Sequence, residues 1–245
     1  MKIIYEDNHI IVIDKPAGLS VLPDGWEKDS EYLVKILEEK YGNPSTRGAT
    51  PYRAEPQSGQ RIFIVHRLDK ITSGVMVFAR DPETHRALNI QFETHEAQKM
   101  YHAIVEGNPK WEEKVAKHPL RSNVGHKHRT MVDDRKGKPS ETRFRVIKRY
   151  QEAALIEAKP MTGRTHQIRV HAYALGHPLV EDFLYGAKDM YGIPRPMLHA
   201  QSLSFIHPAT NERVKFSVPH PADFEEALKN IGADYGPPRG TTKFF

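Results

Sequence analysis

Apolar and polar residues alternate over short runs along most of this chain, and three stretches repeat at the helical interval instead. Residues 3–14, IIYEDNHIIVID, predict two strands joined at Asp7-Asn8, and the KPAG that follows breaks the pattern. DSEYLVKILEEKYGN predicts a helix with Leu33, Ile36, Leu37 and Tyr41 inward, capped by Asp29 or Ser30 and ended by Gly42. Residues 43–60 have no periodicity and read as a loop. TSGVMVFAR reads as a strand entering the core, and DPETHRALNIQFETH as a helix with Asp81 at the cap and Pro82 in its first position. The inner face of that helix is expected at Ala87, Leu88, Gln91 and Phe92. KMYHAIVEG puts Tyr101, Ala103 and Val105 on one side of a strand, and TRFRVIKRY and EAALIEAK look like two more. GRTHQIRVHAYALGH predicts a helix from about Thr165, with Ile168, Ala172 and Leu175 on one face and Gly176 at its end. LHAQSLSFIHP and ERVKFSVP close the pattern as strands.

No strict strand–helix–strand rhythm runs through this order, and several strand pairs have short links. The expected class is therefore α+β, with a mixed, mainly antiparallel central sheet flanked by helices and loops. At 245 residues and 38% hydrophobic content, the chain can build one substantial core. One domain is expected over residues 1–232, and the YGPPRGTTKFF tail, 233–245, is expected to be mobile. No repeat or low-complexity tract interrupts it.

Composition removes several chemistries. There is no cysteine, hence no disulfide, thiolate nucleophile or Cys-ligated metal site, which fits a cytoplasmic location. No membrane span or secretory signal is expected. The net charge of +5 is unevenly spread. Residues 110–150 hold 13 Lys or Arg against 5 Asp or Glu, a local +8 on a body that sums to −3. That segment suggests a surface for a polyanion, although a solvated loop would look the same.

Three places could carry chemistry. Asp69 lies between Arg67 and Lys70, with His66 just before and Ser73-Gly74 just after. It could be a simple turn aspartate; nearby arginines would hold it ionised, suited to a nucleophile or an electrostatic stabiliser and ill suited to a general acid. GRTHQIRVH packs two arginines, two histidines and a glutamine into nine residues at a glycine-led helix start, where an anion could bind; an amphipathic helix with a wet face is the plain alternative. His166 and His171 are five residues apart without a suitably placed glutamate, a poor zinc pair. Tyr101 alone would be a half-buried strand aromatic. Neither phosphate-binding glycine loops nor a serine nucleophile elbow are present, so no nucleotide cofactor is expected.

Taken together, HRLD with TSG, KPAG at 15–18, GRTHQIRVH, HPLVEDFLYG at 177–186 and LHA at 198–200 resemble the motifs of RluA-type RNA pseudouridine synthases, in the right order across roughly residues 3–221. The resemblance implies the pseudouridine synthase fold with a catalytic cleft. It implies that Asp69 attacks a target uridine, that Arg169 pairs with that carboxylate, and that Tyr101 lies against the uracil, where its hydroxyl or a water helps move the C5 proton. Arg67 would fill the gap left by the flipped base, with His66 and Arg164 also meeting RNA. It leaves open whether the carboxylate adds to the base, takes up C1′ or removes the 2′ proton. No cofactor or metal is expected, because the isomerisation oxidises nothing and releases nothing.

Many relatives carry a small basic domain ahead of the first motif. Here the first strand is expected at Lys2, so RNA affinity is assigned to the catalytic domain, with Lys127, Arg129, Arg135, Lys136 and Lys138 on an apparent loop. The expected partner is ribosomal or transfer RNA, and the expected state a monomer. Two other readings are a catalytically silent RNA-binding protein of the same fold and a metal-dependent hydrolase using the histidines.

Overall fold

The computed structural model describes residues 1–23, 31–41, 61–125, 129–189 and 191–232. The expected cap at Asp29 or Ser30, Gly42, the loop 43–60, Lys127 and the tail 233–245 lie outside these.

Twelve strands and four helices are described. Strands β1 (Lys2–Glu6) and β2 (Ile10–Lys15) pair antiparallel across the expected turn, where Asp7 Oδ1 accepts the N–H groups of His9 and Ile10 at 2.7 and 2.8 Å. After α1 (Leu33–Tyr41) come β3 (Phe63–Ile64), β4 (Ser73–Ala79), α2 (Pro82–Glu93), β5 (Gln98–Glu106), β6 (Glu113–Ala116), β7 (Leu120–Val124), β8 (Arg129–Val132), β9 (Thr142–Arg149) and β10 (Ala153–Pro160). Then follow α3 (Gln167–Ala174), a 3-10 turn at Phe183–Tyr185, β11 (Leu198–Ile206), β12 (Arg213–Ser217) and α4 (Ala222–Gly232).

The main sheet runs β1-β2-β4-β11-β5-β10-β9-β6, with β12 added to β11 and β3 to β4. Every pairing is antiparallel except β4 with β11, so the sheet is mixed and mainly antiparallel, as expected. At that parallel contact Gly74 has φ +116°, and a Cβ there would sit 2.2 Å from the Ala200 carbonyl oxygen. Only glycine lets the two backbones meet at the strand entrance.

Alternation along the strands divides the core into two faces. Ile11, Ile13, Met76 and Phe78 point one way and pack with Leu33, Val34 and Leu37 of α1. Ile10, Val12, Val75 and Val77 point the other way, with Leu88 of α2. Ala103 and Val105 of β5 pack with Ile168 and Ala172 of α3, whereas Ile104 packs with Phe224, Ala227 and Ile231 of α4. Tyr101 packs against both the α1 cluster and the α3 cluster, placing it at the seam between them.

Two expectations are corrected, and one helix was not foreseen. The apparent loop around Arg129, Arg135, Lys136 and Lys138 is in part a strand, and β6 lengthens the main sheet. Arg129 begins β8, which pairs with β7 in a separate two-stranded hairpin, while Arg135 and Lys136 lie in the turn after it. The hairpin's polar strands lack alternation because it buries little beyond Leu120 and half-buried Val132 against Val170 and Tyr185. Helix α3 is wet only at its C-terminal end, at Tyr173 and Ala174. Its residues from Gln167 to Ala172 are all buried, and it begins two positions after Thr165, because His166 takes a left-handed backbone. Helix α4 was not among the expected elements. Among the described residues no helix is long and apolar enough to cross a membrane.

Candidate active site

Asp69 stands on the loop between β3 and β4, and neighbouring groups tie that loop down from both sides. Leu68 is buried in the α1 cluster, and Thr72 N–H returns to the Asp69 carbonyl at 3.0 Å. Lys15, the lysine of KPAG, is wholly buried; its Nζ donates to the carbonyls of Pro16, Leu19 and Lys70 at 2.9, 2.8 and 3.1 Å. Gly18 N–H adds a bond to the same Lys70 carbonyl at 2.8 Å. Burial, then the charge of Arg195, lowers the Lys15 pKa to about 8, while Asp69 opposes the shift. Beyond Asp69, Arg195 holds the loop from the other side. Its guanidinium donates to the Ile71 and Leu198 carbonyls and to Ser73 Oγ, and is itself held by Asp223 of α4 at 2.6 and 3.0 Å. The aspartate is therefore presented on a braced loop with a half-exposed carboxylate.

The carboxylate faces α3. Arg169 Nη1 and His166 Nε2 both lie 3.8 Å from Asp69 Oδ2. The short bonds of Arg169 go elsewhere: Nε and Nη2 each donate to Asp182 at 2.7 Å, a bidentate and fully buried pair. The Arg169 guanidinium also lies 5.0 Å from the Tyr185 ring centre. The expected Arg169–Asp69 pair is present as a 3.8 Å contact, and Arg169 has two further partners. Asp182 and Tyr185 aim the guanidinium, and the remaining nitrogen reaches toward Asp69.

Tyr101 lines the same cleft. Burial, and next the Asp69 carboxylate, push its phenol pKa well above the usual range, so it stays protonated at neutral pH. The cleft measures about 1030 Å³ and is also lined by Arg67, His66, Lys99 and Arg164. That is at the top of the range of roughly 300–1,000 Å³ typical of small-molecule sites, enough for a nucleotide and part of its neighbours. Arg67 and Arg164 are exposed at its mouth.

His66 does something different from meeting a phosphate. Its ring stacks on Phe92 at 4.7 Å and its Nε2 accepts the Val77 N–H at 3.2 Å. Burial, then Lys99, lowers its pKa to about 3, so it supplies no charge to the cleft. Lys99 lies in the cleft wall, 3.5 Å from the Thr162 carbonyl, with its pKa lowered to about 8 by burial. His171 points away from His166 into the core, bonded to Thr142 Oγ1 at 2.9 Å and within 3.1 Å of the His118 carbonyl. His166 and His171 therefore form no zinc pair, and among the described residues no group of three or more metal-ligating side chains occurs.

On the basic segment, Arg129, Arg135, Lys136 and Lys138 are exposed. Several of their neighbours are neutralised: Lys117 and Arg143 on Glu141, Arg121 on Asp133, Arg145 on Glu157. Arg129, Arg135 and Lys138 form no ion pair among the described residues. The hairpin leans on the site through Thr130, whose N–H donates to the Tyr185 hydroxyl at 3.1 Å.

Residues 9–174 match the family model described as RNA pseudouridylate synthase. Ribosomal large subunit pseudouridine synthase D of Zymomonas mobilis is 35% identical over 239 residues, spanning 94% of this chain and 73% of that protein. The chain belongs to the RNA pseudouridylate synthase family. A second family member, ribosomal large subunit pseudouridine synthase C of Vibrio cholerae, is 36% identical over 94% of this chain and 69% of its own length. Among solved structures, human RNA pseudouridylate synthase domain containing 4 superposes with a TM-score of 0.74 at 24% identity, covering 94% of this chain and 92% of that one. Human domain containing 1 follows at 0.68, with 96% of each chain covered. The fold is thus that of the pseudouridylate synthases.

Sequence reasoning overlooked Asp182, Tyr185, Lys15, Lys99 and Arg195 as individual residues, although HPLVEDFLYG and KPAG had been singled out as motifs. The signal available was a charged or polar side chain inside a largely apolar run. Lys15 follows five strand residues of which four are fully buried, and Asp182 sits at the end of LVED.

Proposed function

We propose that this chain isomerises uridine to pseudouridine in large-subunit ribosomal RNA, with Asp69 as the nucleophile toward a base flipped out of its stack. The observation that carries the reading is the seating of Asp69. Among the described carboxylates lining the cleft, it alone faces both the Arg169 guanidinium and the protonated Tyr101 across a volume that fits a nucleotide. The naming of the relatives as ribosomal large subunit synthases supports the choice of RNA.

In this reading, Tyr101 offers a flat apolar surface for the uracil at the seam of the two core clusters. As a phenol it donates a hydrogen bond and cannot itself take the C5 proton as a resting phenolate, so a water or the Asp69 carboxylate must take that proton. Arg67, exposed at the mouth, occupies the space vacated by the flipped base, which offsets part of the few kcal/mol that unstacking costs. The braced loop supplies orientation, since a misplacement of about 1 Å can cost on the order of a hundredfold in rate.

The test is direct. Asp69→Asn is expected to keep its fold and RNA binding and to lose all isomerisation, because an amide is no nucleophile. Retained turnover in the purified variant would end the assignment. Mapping pseudouridine in RNA from cells with and without the gene identifies the RNA; a missing site in transfer RNA alone would refute the ribosomal choice.

A further inference from the structure

His166 has no task in the reaction as proposed, yet its surroundings are highly specified. It is the residue before α3, with φ 53° and ψ 20°, a left-handed backbone that any side chain other than glycine adopts under strain. Strain of this kind persists where the surroundings hold a side chain in place. One ring nitrogen, Nδ1, lies 2.8 Å from the Tyr185 hydroxyl, and the other, Nε2, lies 3.8 Å from Asp69 Oδ2.

The direction of these bonds can be worked out. The Tyr185 oxygen already accepts the N–H of Thr130 at 3.1 Å. With that bond occupying one lone pair, the arrangement that also presents a donor to Asp69 directs the Tyr185 proton at His166 Nδ1. A neutral imidazole that accepts at Nδ1 carries its proton on Nε2. Burial lowers the pKa of this imidazole, against the pull of Asp69, which favours that neutral form. Asp69 Oδ2 is consequently faced by two donors at the same distance, His166 Nε2–H and Arg169 Nη1–H. At 3.8 Å both stand beyond hydrogen-bond length, which is about 2.7–3.2 Å.

We infer that His166 is a positioning residue for Asp69: Tyr185 sets its tautomer, and its Nε2–H joins Arg169 in holding Oδ2 so that Oδ1 is left to meet the substrate. This deepens the proposed function and rests on it. It also gives the hairpin a part, because the N–H that fixes the Tyr185 proton belongs to β8, the strand that begins with Arg129.

Two independent measurements test this. In the folded wild type, the imidazole ¹⁵N shifts of His166 are expected to show Nδ1 bare and Nε2 protonated; the opposite tautomer overturns the inference. In single-turnover assays at saturating RNA, His166→Phe is expected to lower the rate about tenfold to a hundredfold with RNA affinity unchanged, as loss of an aligned donor does. His166→Gln, whose amide N–H reaches the Nε2 position, should recover most of the rate. Tyr185→Phe should slow the wild type but cost nothing further in the His166→Phe background, because the two act through one path. A His166→Phe rate within twofold of wild type, or Tyr185→Phe and His166→Phe effects that multiply, would refute it. Should His166→Phe not fold, the ¹⁵N shifts and the His166→Gln and Tyr185→Phe rates decide. A wild type that makes no pseudouridine strikes at the proposed function instead, and the nitrogen shifts tell the two failures apart because they need no turnover.

Discussion

Asp69 and Asp182 are both aspartates beside Arg169, and their burial sets them to opposite work. The Asp182 side chain is 1% exposed and takes both short bonds of Arg169, whereas the Asp69 side chain is 28% exposed and stands 3.8 Å off. Removing the partner of a buried, bidentate cation leaves an uncompensated charge in the core, which costs about 3–5 kcal/mol. Asp182→Ala is therefore expected to lower stability by about that amount and to lose turnover as Arg169 drifts from Asp69. Asp69→Asn should lose turnover at almost constant stability. Urea unfolding alongside a single-turnover assay separates the two; equal stability losses would contradict this division of roles. Both aspartates are plain in the sequence. Which one Arg169 grips is not, because Asp182 lies 13 residues further on, past the end of α3 at Ala174.

The hairpin of β7 and β8 is the element on which RNA capture is expected to depend. Its surroundings carry the charge: Arg129 begins β8, and Arg135 and Lys138 follow it, all exposed and outside any ion pair among the described residues. The turn between them is firm, with Asp133 Oδ1 accepting the N–H groups of Arg135 and Lys136 at 3.1 and 2.9 Å. These cations are thus displayed on a shaped surface. Changing all three to Gln should weaken binding to different RNAs alike and flatten the slope of log affinity against log salt by about 2–3 units, at roughly 0.7–0.9 per lost phosphate contact. The chemical step at saturating RNA should change little. Filter binding across salt concentrations checks it, and an unchanged slope would leave the hairpin without a part in RNA capture. Sequence pattern marked this segment as basic and missed that it is folded, since a hairpin braced on Tyr185 by one backbone bond has no need of alternating apolar residues.

Across the whole molecule, three imidazoles held neutral, His199 fully buried and His66 and His102 half-buried, make the fold sensitive to acid. Burial lowers the pKa of His66 to about 3 and those of His102 and His199 to about 4, with nearby cations and histidines adding to the effect. His199 Nδ1 lies 2.9 Å from Ser73 Oγ at the parallel strand contact, and His102 lies 2.7 Å from His220. Below the ordinary value of 6.5 the unfolded chain takes up protons that the folded chain refuses, so stability must rise with pH between about 4 and 6.5 and fall as that window is crossed downward. The urea midpoint is expected to drop between about pH 7 and pH 5, and less steeply in His199→Asn; a flat profile would contradict the neutral state of these rings. What the sequence determined by itself was whatever local periodicity encodes: the alternation that splits the core between two faces, the Asp81 cap of α2, the turn at Asp7, and the motif residues of the cleft. Local pattern could not show that Tyr101 sits at the seam of two clusters, that Lys15 and Arg195 brace the Asp69 loop from opposite sides, or that the first six residues of α3 are all buried. Each of these depends on groups far apart in the chain whose meeting is decided by sheet order, above all by the single parallel pairing of β4 with β11. A side chain's burial, its partners and its proton belong to that arrangement, and no run of neighbouring residues contains them.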